Sequence, residues 1–304
     1  MHGGILHVNH IKDQIHCERA YRMGLSGKGI CVAVLDTGIF LHRDFDSRVT
    51  GFADMVNRRN FAYDDCGHGT HICGIIGGSG RMSGGRYSGI APGCNLIMVK
   101  VLDRKGNGYS SDVLAGISWV LERKEQLGIR ILNISVGACS KRGMSENSAL
   151  VKGVNRAWDA GLVVVVAAGN NGPRTMSITT PGISRKVITV GCSDDDREVL
   201  VGGNRMVDYS GRGPTAACIC KPDLVAPGCS VVSCSSRADK YTIKSGTSMS
   251  TPIVSGAVAL LLERFPDMSN KDVKLRLRES SVDIGLPRNQ QGWGLLDVGK
   301  MLER

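Results

Sequence analysis

Short apolar runs alternate with longer amphipathic segments along most of the chain. The runs are rich in valine or isoleucine, and each is followed by a turn with glycine or asparagine, a pattern typical of strands buried on both faces of a sheet. They lie at residues 30–35, 96–101, 129–135, 162–167 and 187–190. Two segments between them, 112–125 and 148–160, carry apolar residues at three- and four-residue spacing and are predicted to be helices.

Strands that alternate with helices predict parallel βαβ connections, so the expected fold class is α/β with a mainly parallel sheet. Two further helices are predicted near residues 248–265 and 270–279. In an open sheet of this class, ligands bind beside the carboxyl ends of the strands. Asp36, Gly137 and Asn170 each follow a predicted strand, so we expect their loops to meet at one edge of the sheet.

The composition is ordinary for a globular domain, with 42% hydrophobic and 22% charged residues. The formal charge of +10 comes from lysines and arginines scattered along the chain, without a basic stripe interleaved with aromatic residues, so nucleic acid is not an expected partner. No apolar stretch is long enough for a membrane span, and residues 1–22 lack the apolar run of a signal peptide. Membrane association is therefore not expected either.

The chain has eleven cysteines, an odd number spread through apolar segments of a large domain. This distribution favours reduced thiols over a disulfide framework and suggests a cytoplasmic location. Cys218 and Cys220 form the sequence C-x-C, which could bind a metal ion. A single pair without a second ligand pair is weak support for such a site, so free thiols are the simpler interpretation and no metal site is predicted.

Candidate residues for acyl transfer are few, because all seven histidines lie within the first 71 residues. Only His68 and His71 occur in a polar stretch flanked by glycine, at the start of an apolar segment with helical character. Ser248 lies in the sequence GTSMSTP, where a glycine turn leads into a predicted helix and Pro252 suits its first turn. The N-terminus of that helix would stabilise nearby negative charge. Serine is also an ordinary helix N-cap, so Ser248 by itself does not decide the function.

Four segments together resemble the subtilisin family of serine proteases. They are residues 32–38 (VAVLDTG), 67–71 (GHGTH), 167–170 (AAGN) and 246–250 (GTSMS). Their order and spacing agree with the family from about Gly27 to Leu302. The resemblance, which is closest to the intracellular bacterial type, implies a serine endopeptidase. It also implies a three-layer fold with a mainly parallel sheet and helices on both faces.

By this resemblance, Ser248 is the nucleophile, His68 is the general base, and Asp36 is the carboxylate that orients the imidazole. Asn170 would donate its side-chain amide to the oxyanion, beside the backbone N–H of Ser248. As an alternative, Asp36 could merely cap a turn at the end of its strand.

Neighbouring polar residues are expected to have structural roles. His71 is interpreted as a hydrogen-bonded structural histidine, and Asn171 as a turn residue beside the oxyanion donor. His42 is interpreted as a surface histidine beside Asp44. The acidic residues 194–196 are predicted to form a solvated turn.

The resemblance also implies that an extended substrate peptide lies between two backbone edges. One edge would be formed by Gly106, Asn107 and Gly108, and the other by Ser135, Val136 and Gly137. The second edge would also wall the pocket for the P1 residue, which precedes the scissile bond, together with Ala167, Ala168 and Gly169, with Thr179 and Thr180 at the far end. No acidic residue lies on these segments to pair with a buried lysine or arginine, so we expect small or nonpolar P1 residues.

Calcium is the cofactor that many secreted members of the family bind, through an aspartate soon after the first catalytic motif and a loop after the histidine helix. Asp44 matches that aspartate, but the loop at residues 77–86 brings two arginines and no carboxylate. Calcium prefers six to eight oxygen ligands. We therefore expect no required cofactor and doubt this calcium site, while a weak site elsewhere stays open.

Secreted members also carry an N-terminal chaperone segment of several dozen residues, whereas about 26 residues precede Gly27. The predicted domains are an N-terminal extension, residues 1–26, and a peptidase domain, residues 27–304. Together with the cysteines, this favours the cytoplasm, unless a secretion leader has been removed.

Two other functions compete with that of a protease. A lipase-type hydrolase would place its serine in G-x-S-x-G and its histidine last, and no histidine follows residue 71, so that fold is excluded. A catalytically inactive binding protein could keep the same scaffold, although all four chemical positions are intact. The substrate stays open between general protein turnover and the processing of a peptide precursor, and the oligomeric state is not indicated.

Overall fold

The computed structural model describes residues 8–137 and 146–303. The strands in these ranges are β1 (Cys31–Asp36), β2 (Val49–Asp54), β3 (Asn95–Lys100), β4 (Ile129–Ile134), β5 (Val163–Ala167), β6 (Ile188–Cys192), β7 (Val199–Val201), β8 (Asn204–Met206), β9 (Leu224–Ala226), β10 (Val231–Cys234) and β11 (Tyr241–Lys244). The helices are α1 (Val8–Gln14), α2 (Glu18–Arg22), α3 (His68–Gly77), α4 (Ser110–Arg123), α5 (Ala149–Asp159), α6 (Thr247–Arg264), α7 (Asn270–Ser280), α8 (Arg288–Gln291) and α9 (Val298–Met301).

Seven strands form one parallel sheet in the order β2-β3-β1-β4-β5-β6-β9. β1 lies between β3 and β4, and its last residue, Asp36, pairs with Lys100. All six residues of β1 are buried, as expected for a strand covered on both faces. The five strands predicted from apolar runs are confirmed, with bounds that differ by two residues or fewer.

Two strands of the sheet, β2 and β9, were not predicted. β2 is an edge strand with the sequence VTGFAD, whose glycine and partial exposure obscure an apolar run. β9 has only three residues and ends before Pro227. Two antiparallel hairpins outside the sheet, β7–β8 and β10–β11, were also missed.

Helices cover both faces of the sheet. α6 packs against α3 and against β4, β5 and β6, while α4 packs against α5 and β1. Consecutive residues of β3 distinguish the two faces: Met98 reaches Gly69 of α3, whereas Val99 reaches Gly116 of α4. The predicted three-layer α/β fold is therefore confirmed.

The central helix α6 is buried along nearly its whole length, from Thr247 to Leu262, which suits a helix that is apolar all round. It packs closely at Gly256, where an added β-carbon would lie 2.7 Å from Cβ of Ile90 and 3.4 Å from the carbonyl oxygen of Ile76 in α3. Because α6 cannot move without disturbing this packing, the residues of its first turn are held in fixed positions.

The segment before Gly27 joins the same core as the rest of the chain. Ile11, Ile15 and Ala20 are buried in that core, and Val298 donates its backbone N–H to the Ile15 carbonyl. The division at residue 26 stays a prediction.

Among the described residues, no helix is both long enough and apolar enough to cross a bilayer. The ten cysteines in these ranges are free thiols, and Cys218 and Cys220 are exposed. Cys139 lies outside the described residues.

Candidate active site

The candidate catalytic residues meet at the carboxyl edge of the sheet. Asp36 ends β1, His68 begins α3, Asn170 follows β5 by three positions, and Ser248 is the second residue of α6. Parallel strands bring their carboxyl ends to one edge, so residues far apart in the chain become neighbours. His68, Asn170 and Ser248 line one cleft of about 460 Å³.

Asp36 and His68 form a short hydrogen bond, with 2.7 Å between Oδ1 of Asp36 and Nδ1 of His68. Asp36 is fully buried, and the His68 side chain is 22% exposed. A carboxylate at Nδ1 favours the tautomer in which that nitrogen carries the proton, so Nε2 can accept a proton from the cleft. The backbone N–H of Thr37 also donates to Oδ1 of Asp36, at 2.8 Å.

Asp64 fixes the position of His68, a role that sequence reasoning missed. Its carboxylate accepts hydrogen bonds from the backbone of Cys66, Gly67 and Thr70 and from the hydroxyls of Thr37 and Thr70. The Thr37 hydroxyl in turn accepts the N–H of Gly69 at 2.9 Å. This network ties the end of β1 to the start of α3. The signal in the sequence was an aspartate four residues before the histidine in a glycine-containing turn.

Lys100 is a second missed residue. Its ammonium is fully buried and contacts Asp65 at 2.6 Å and the carbonyls of Thr37 and Leu102. A buried charge requires such partners. Lys100 thus links β3 to the loops beside Asp36 and His68. The sequence indicated this role only by placing a lysine at the end of an apolar strand.

The Ser248 hydroxyl donates to the backbone carbonyl of Ser135 at 2.7 Å rather than to His68. Gly246 precedes the helix with φ of +139°, a conformation that side chains disfavour. The N–H of Ser248, in the first turn of α6, lacks an acceptor within the helix and so can bind an anion. Proton transfer to His68 requires rotation of the hydroxyl about the Ser248 side-chain bond; such bonds often form only when substrate is present.

The orientation of the Asn170 amide is set by two hydrogen bonds. Its Oδ1 accepts the backbone N–H and the hydroxyl of Thr247, both at 3.0 Å. With the oxygen held there, Nδ2 is the donor left to interact with a ligand in the cleft. Asn170 and the N–H of Ser248 can therefore both donate to an oxyanion.

The two predicted substrate edges line one groove of about 200 Å³. Gly106, Asn107 and Gly108 lie on one side, and Val136 and Gly137 on the other. Apolar side chains complete the lining, including Leu102, Val113, Ile134 and Leu150. Ser135 is placed between this groove and Ser248 by the hydrogen bond to its carbonyl.

Thr179 lies between the two predicted walls of the P1 pocket. A β-carbon added to Gly137 would lie 2.2 Å from Oγ1 of Thr179, and one added to Gly169 would lie 2.4 Å from its Cγ2. The Thr179 hydroxyl and N–H both donate to the carbonyl of Ala168. Ala167 and Ala168 are themselves buried. The Thr179 side chain thus fills space that the glycines leave open.

His71 is a structural histidine, as predicted. It is fully buried, and its Nε2 donates to the carbonyls of Val231 and Thr242 at 3.1 and 3.2 Å. Burial, together with the positive charges of Lys244 and His68, lowers the pKa of His71 to about 3. His71 is therefore neutral when His68 would accept a proton.

The prediction that His42 is exposed was wrong, and the predicted solvated turn at residues 194–196 holds for Asp196 but not for Asp195. His42 is 1% exposed, donates from Nε2 to the Lys240 carbonyl and accepts the Asp44 N–H at Nδ1. Of the acidic residues 194–196, Asp195 is 3% exposed and Asp194 is half-buried. Asp195 accepts the N–H of Ser210, and burial raises its pKa. Both side chains bind backbone groups from distant parts of the chain, the Lys240 carbonyl for His42 and the Ser210 N–H for Asp195, and the local sequence does not reveal these partners.

The residues around Asp44 do not fit a calcium ion. Its two carboxylate oxygens accept the N–H of Met82 and the hydroxyl of Tyr241. The Arg48 guanidinium donates to the carbonyls of Asp44, Gly77 and Cys94. Oxygens that could coordinate a cation are therefore already bound to donors, one of which carries a positive charge.

Comparisons with known proteins agree with this fold. The model of the Subtilase family matches residues 27–294. Serine protease AprX of Bacillus subtilis (strain 168) is 42% identical over 285 residues, which span 88% of this chain and 64% of that protein. Subtilisin DY of Bacillus licheniformis is 32% identical over 93% of this chain and 94% of its own length.

Solved structures give the same result. A cold adapted subtilisin-like serine proteinase superposes with a TM-score of 0.73 at 29% identity, covering 90% of each chain. Sphericase superposes with a TM-score of 0.75 at 31% identity, covering 90% of this chain and 93% of its own.

The fold and the arrangement at its carboxyl edge define an α/β protein of the subtilisin type. The chain belongs to the subtilase family, and at the level of that family it is a serine endopeptidase. Because it spans only about 64% of AprX, what the whole protein does in the cell remains a matter for proposal.

Replacement of His71 by glutamine should flatten the dependence of stability on pH between about 6.5 and 3. In that range the unfolded chain takes up a proton on His71 while the folded chain does not, so stability falls as pH falls, by up to about 1.4 kcal/mol per pH unit from this group. The measurement is urea unfolding at a series of pH values. A control, His10→Gln, replaces an exposed histidine and should keep the wild-type slope. An unchanged slope in His71→Gln would contradict the assignment.

Proposed function

We propose that the chain hydrolyses peptide bonds through Ser248, His68 and Asp36. The Ser248 oxygen attacks the scissile carbonyl carbon while its proton passes to Nε2 of His68. Asp36 stabilises the resulting imidazolium from Nδ1. His68 then gives the proton to the leaving amine. Water, deprotonated by His68, releases the acyl group and restores the serine hydroxyl.

The negative oxygen of each tetrahedral intermediate would be bound by Nδ2 of Asn170 and the backbone N–H of Ser248. Asn170 is suited to this because Thr247 holds its carbonyl oxygen and so points the amide nitrogen elsewhere. The observation that carries the proposal is the 2.7 Å bond between buried Asp36 and His68, beside the same cleft as Ser248 and Asn170.

A fluorophosphonate should label the wild-type protein at Ser248 and leave Ser248→Ala unlabelled. Asn170→Leu should keep its substrate KM but lose about 10²–10³ in kcat, the loss known for such an amide in subtilisin, because the donor acts mainly in the transition state. Steady-state hydrolysis of a peptide anilide measures both constants. Asn171→Ala is the matched control and should retain the wild-type kcat. If wild-type protein takes no label and cleaves no peptide, an inactive binding scaffold is the better description.

We infer that small or nonpolar P1 residues are preferred. No acidic side chain lies on the segments that wall the pocket, and Thr179 takes up space between Gly137 and Gly169. A long or charged P1 side chain would have to displace this threonine or bury its charge without a partner.

Thr179→Gly should raise kcat/KM for peptides with phenylalanine at P1 relative to alanine, by about 10-fold or more, because the larger pocket buries more apolar surface. Thr179→Ser, which removes only the methyl group, should fall between the wild type and the glycine variant. The measurement is a panel of peptides that differ only at P1. Fastest cleavage after arginine by the wild type would contradict the inference.

Two apolar surfaces outside P1 would add selectivity. The groove between Gly106–Gly108 and Val136–Gly137 suits an apolar side chain of the bound strand. Across Ser248, the cleft is lined by Leu200 of β7 and Ile243 of β11, which are 63% and 49% exposed. Peptides with apolar residues on both sides of the cleaved bond are the substrates we propose. A cytoplasmic location is proposed with them, on the free thiols alone.

We further propose that no calcium is required at the Asp44 site. The support is that Arg48 and Tyr241 already bond to the oxygens a calcium ion would need.

A calcium chelator should leave the melting temperature unchanged. Arg48→Met should instead lower stability by about 1–3 kcal/mol, because three buried or half-buried carbonyls lose their shared donor. Differential scanning calorimetry with and without chelator measures both effects. A large loss of melting temperature in wild-type protein with chelator would contradict the proposal.

A further inference from the structure

Four side chains outside the catalytic apparatus converge behind the turn that carries Ser248. They are Cys192 at the end of β6, Asp194, Tyr209 and Cys229, and we name them the thiol cluster. The two sulfurs and a carboxylate oxygen of Asp194 all lie within 4.8 Å of one another. The Tyr209 hydroxyl lies 3.2 Å from the Cys192 sulfur and 3.1 Å from the Cys229 sulfur.

The thiol cluster is enclosed, with one member at its outer side. Cys192 and Tyr209 are fully buried and Cys229 is 2% exposed, whereas Asp194 is half-buried and is the most exposed of the four. The Cys192 sulfur lies 3.1 Å from Oδ1 of Asp194, and the Cys229 sulfur lies 2.8 Å from the Asp194 carbonyl. Ligands of a tetrahedral zinc ion are about 3.3–3.8 Å apart, given metal–ligand bonds of about 2.0–2.3 Å. Small side-chain rotations would bring the cluster to that geometry.

We propose that the thiol cluster is an inhibitory binding site for a thiophilic divalent metal ion such as zinc. The ligands are the thiolates of Cys192 and Cys229 and the carboxylate of Asp194, with the fourth position open to water. The two thiol protons are released to solvent when the metal binds, and Tyr209 then donates its hydroxyl hydrogen to a thiolate.

A metal ion accounts for the cluster better than a disulfide does. A disulfide would join only the two sulfurs and leave the Tyr209 hydroxyl and the Asp194 carboxylate without their thiol partners. A metal ion uses the sulfurs and the carboxylate together and leaves the phenol with an anionic acceptor.

The second group of potential ligands among the described residues is less suited to a metal. His42, Asp44 and Cys234 are equally close, but both ring nitrogens of His42 and both oxygens of Asp44 are already engaged. In the thiol cluster, by contrast, Cys192 and Cys229 each donate a thiol hydrogen, to Oδ1 and to the backbone carbonyl of Asp194, and both hydrogens leave when the metal binds.

The thiol cluster is connected to Ser248 through Gly228. Oδ1 of Asp194 accepts the backbone N–H groups of Gly228 and Cys229 at 2.7 and 3.2 Å, and the Gly228 carbonyl accepts the N–H of Gly246 at 3.0 Å. A β-carbon added to Gly228 would lie 2.3 Å from Oγ of Ser250, so the contact has no free space. Drawing Asp194 onto a metal would shift Gly228, and with it the turn that holds Ser248. This part of the inference rests on the proposed peptidase function.

Cadmium and zinc serve as the probes, in a protein with Cys66, Cys139, Cys218 and Cys220 replaced by serine to remove exposed, half-buried and undescribed thiols. One equivalent of cadmium should produce the ultraviolet thiolate-to-cadmium band. Zinc should compete for it and should slow peptide hydrolysis roughly 10- to 100-fold, as expected for a displaced catalytic turn, and a chelator should reverse this.

Cys192→Ala and Cys229→Ala should abolish both the band and the inhibition. Asp194→Asn keeps an oxygen that can accept the Gly228 N–H and should weaken metal binding. The rate of peptide hydrolysis by this variant without metal is measured in parallel. Cys31→Ala removes an equally buried thiol elsewhere and should retain both responses. The melting temperature of each variant without metal checks that it is folded.

Absence of a stoichiometric band, a band that survives Cys192→Ala, or a band without any change in rate would each overturn the proposal. The band is read independently of catalysis and should persist in Ser248→Ala. Failure of the peptidase function would therefore appear as an inactive protein that still binds cadmium, which separates the two hypotheses.

Discussion

Asp36 is a carboxylate with no exposed surface, at the end of β1, an interior strand of the sheet. A charge in that position is tolerated only with close polar partners, and His68 and the Thr37 N–H provide them. These partners are in turn fixed by Asp64 and Lys100, which bind the loops that carry His68 and Thr37. This half of the site is thus arranged around the buried carboxylate of Asp36, which holds the His68 imidazole at the edge of the cleft.

The position of Ser248, in contrast, is fixed by the packing of helix α6. α6 packs against both the sheet and α3, and this packing fixes the turn at Gly246 and the first N–H groups of the helix. Ser250 donates to the Ala226 carbonyl and Gly246 to the Gly228 carbonyl, so this turn is bonded to the segment after β9. Cys229 of the thiol cluster belongs to that segment, and Asp194 binds its backbone. The backbone at Gly228 therefore contacts both the turn that precedes Ser248 and the thiol cluster.

Most of the sheet and the four polar positions of the site could be predicted from local patterns. Uninterrupted apolar runs identified β1, β3, β4, β5 and β6, whereas the edge strand β2 and the short β9 carried too little pattern. Asp64 and Lys100 escaped prediction because both bind Thr37, which lies far from them in the chain. His42 was misjudged for the same reason, since its burial comes from Lys240, nearly 200 residues away.

The sequence by itself determined the fold class, the family and the identity of Asp36, His68, Asn170 and Ser248, because each of these is written in short contiguous segments. The tertiary structure decided which atoms face one another. Thr179 lies between Gly137 and Gly169. The carboxylate oxygens of Asp44 accept hydrogen bonds from Met82 and Tyr241. The sulfurs of Cys192 and Cys229 both contact the Tyr209 hydroxyl. Contacts of this kind depend on the register and packing of distant strands, and a linear pattern carries no record of them.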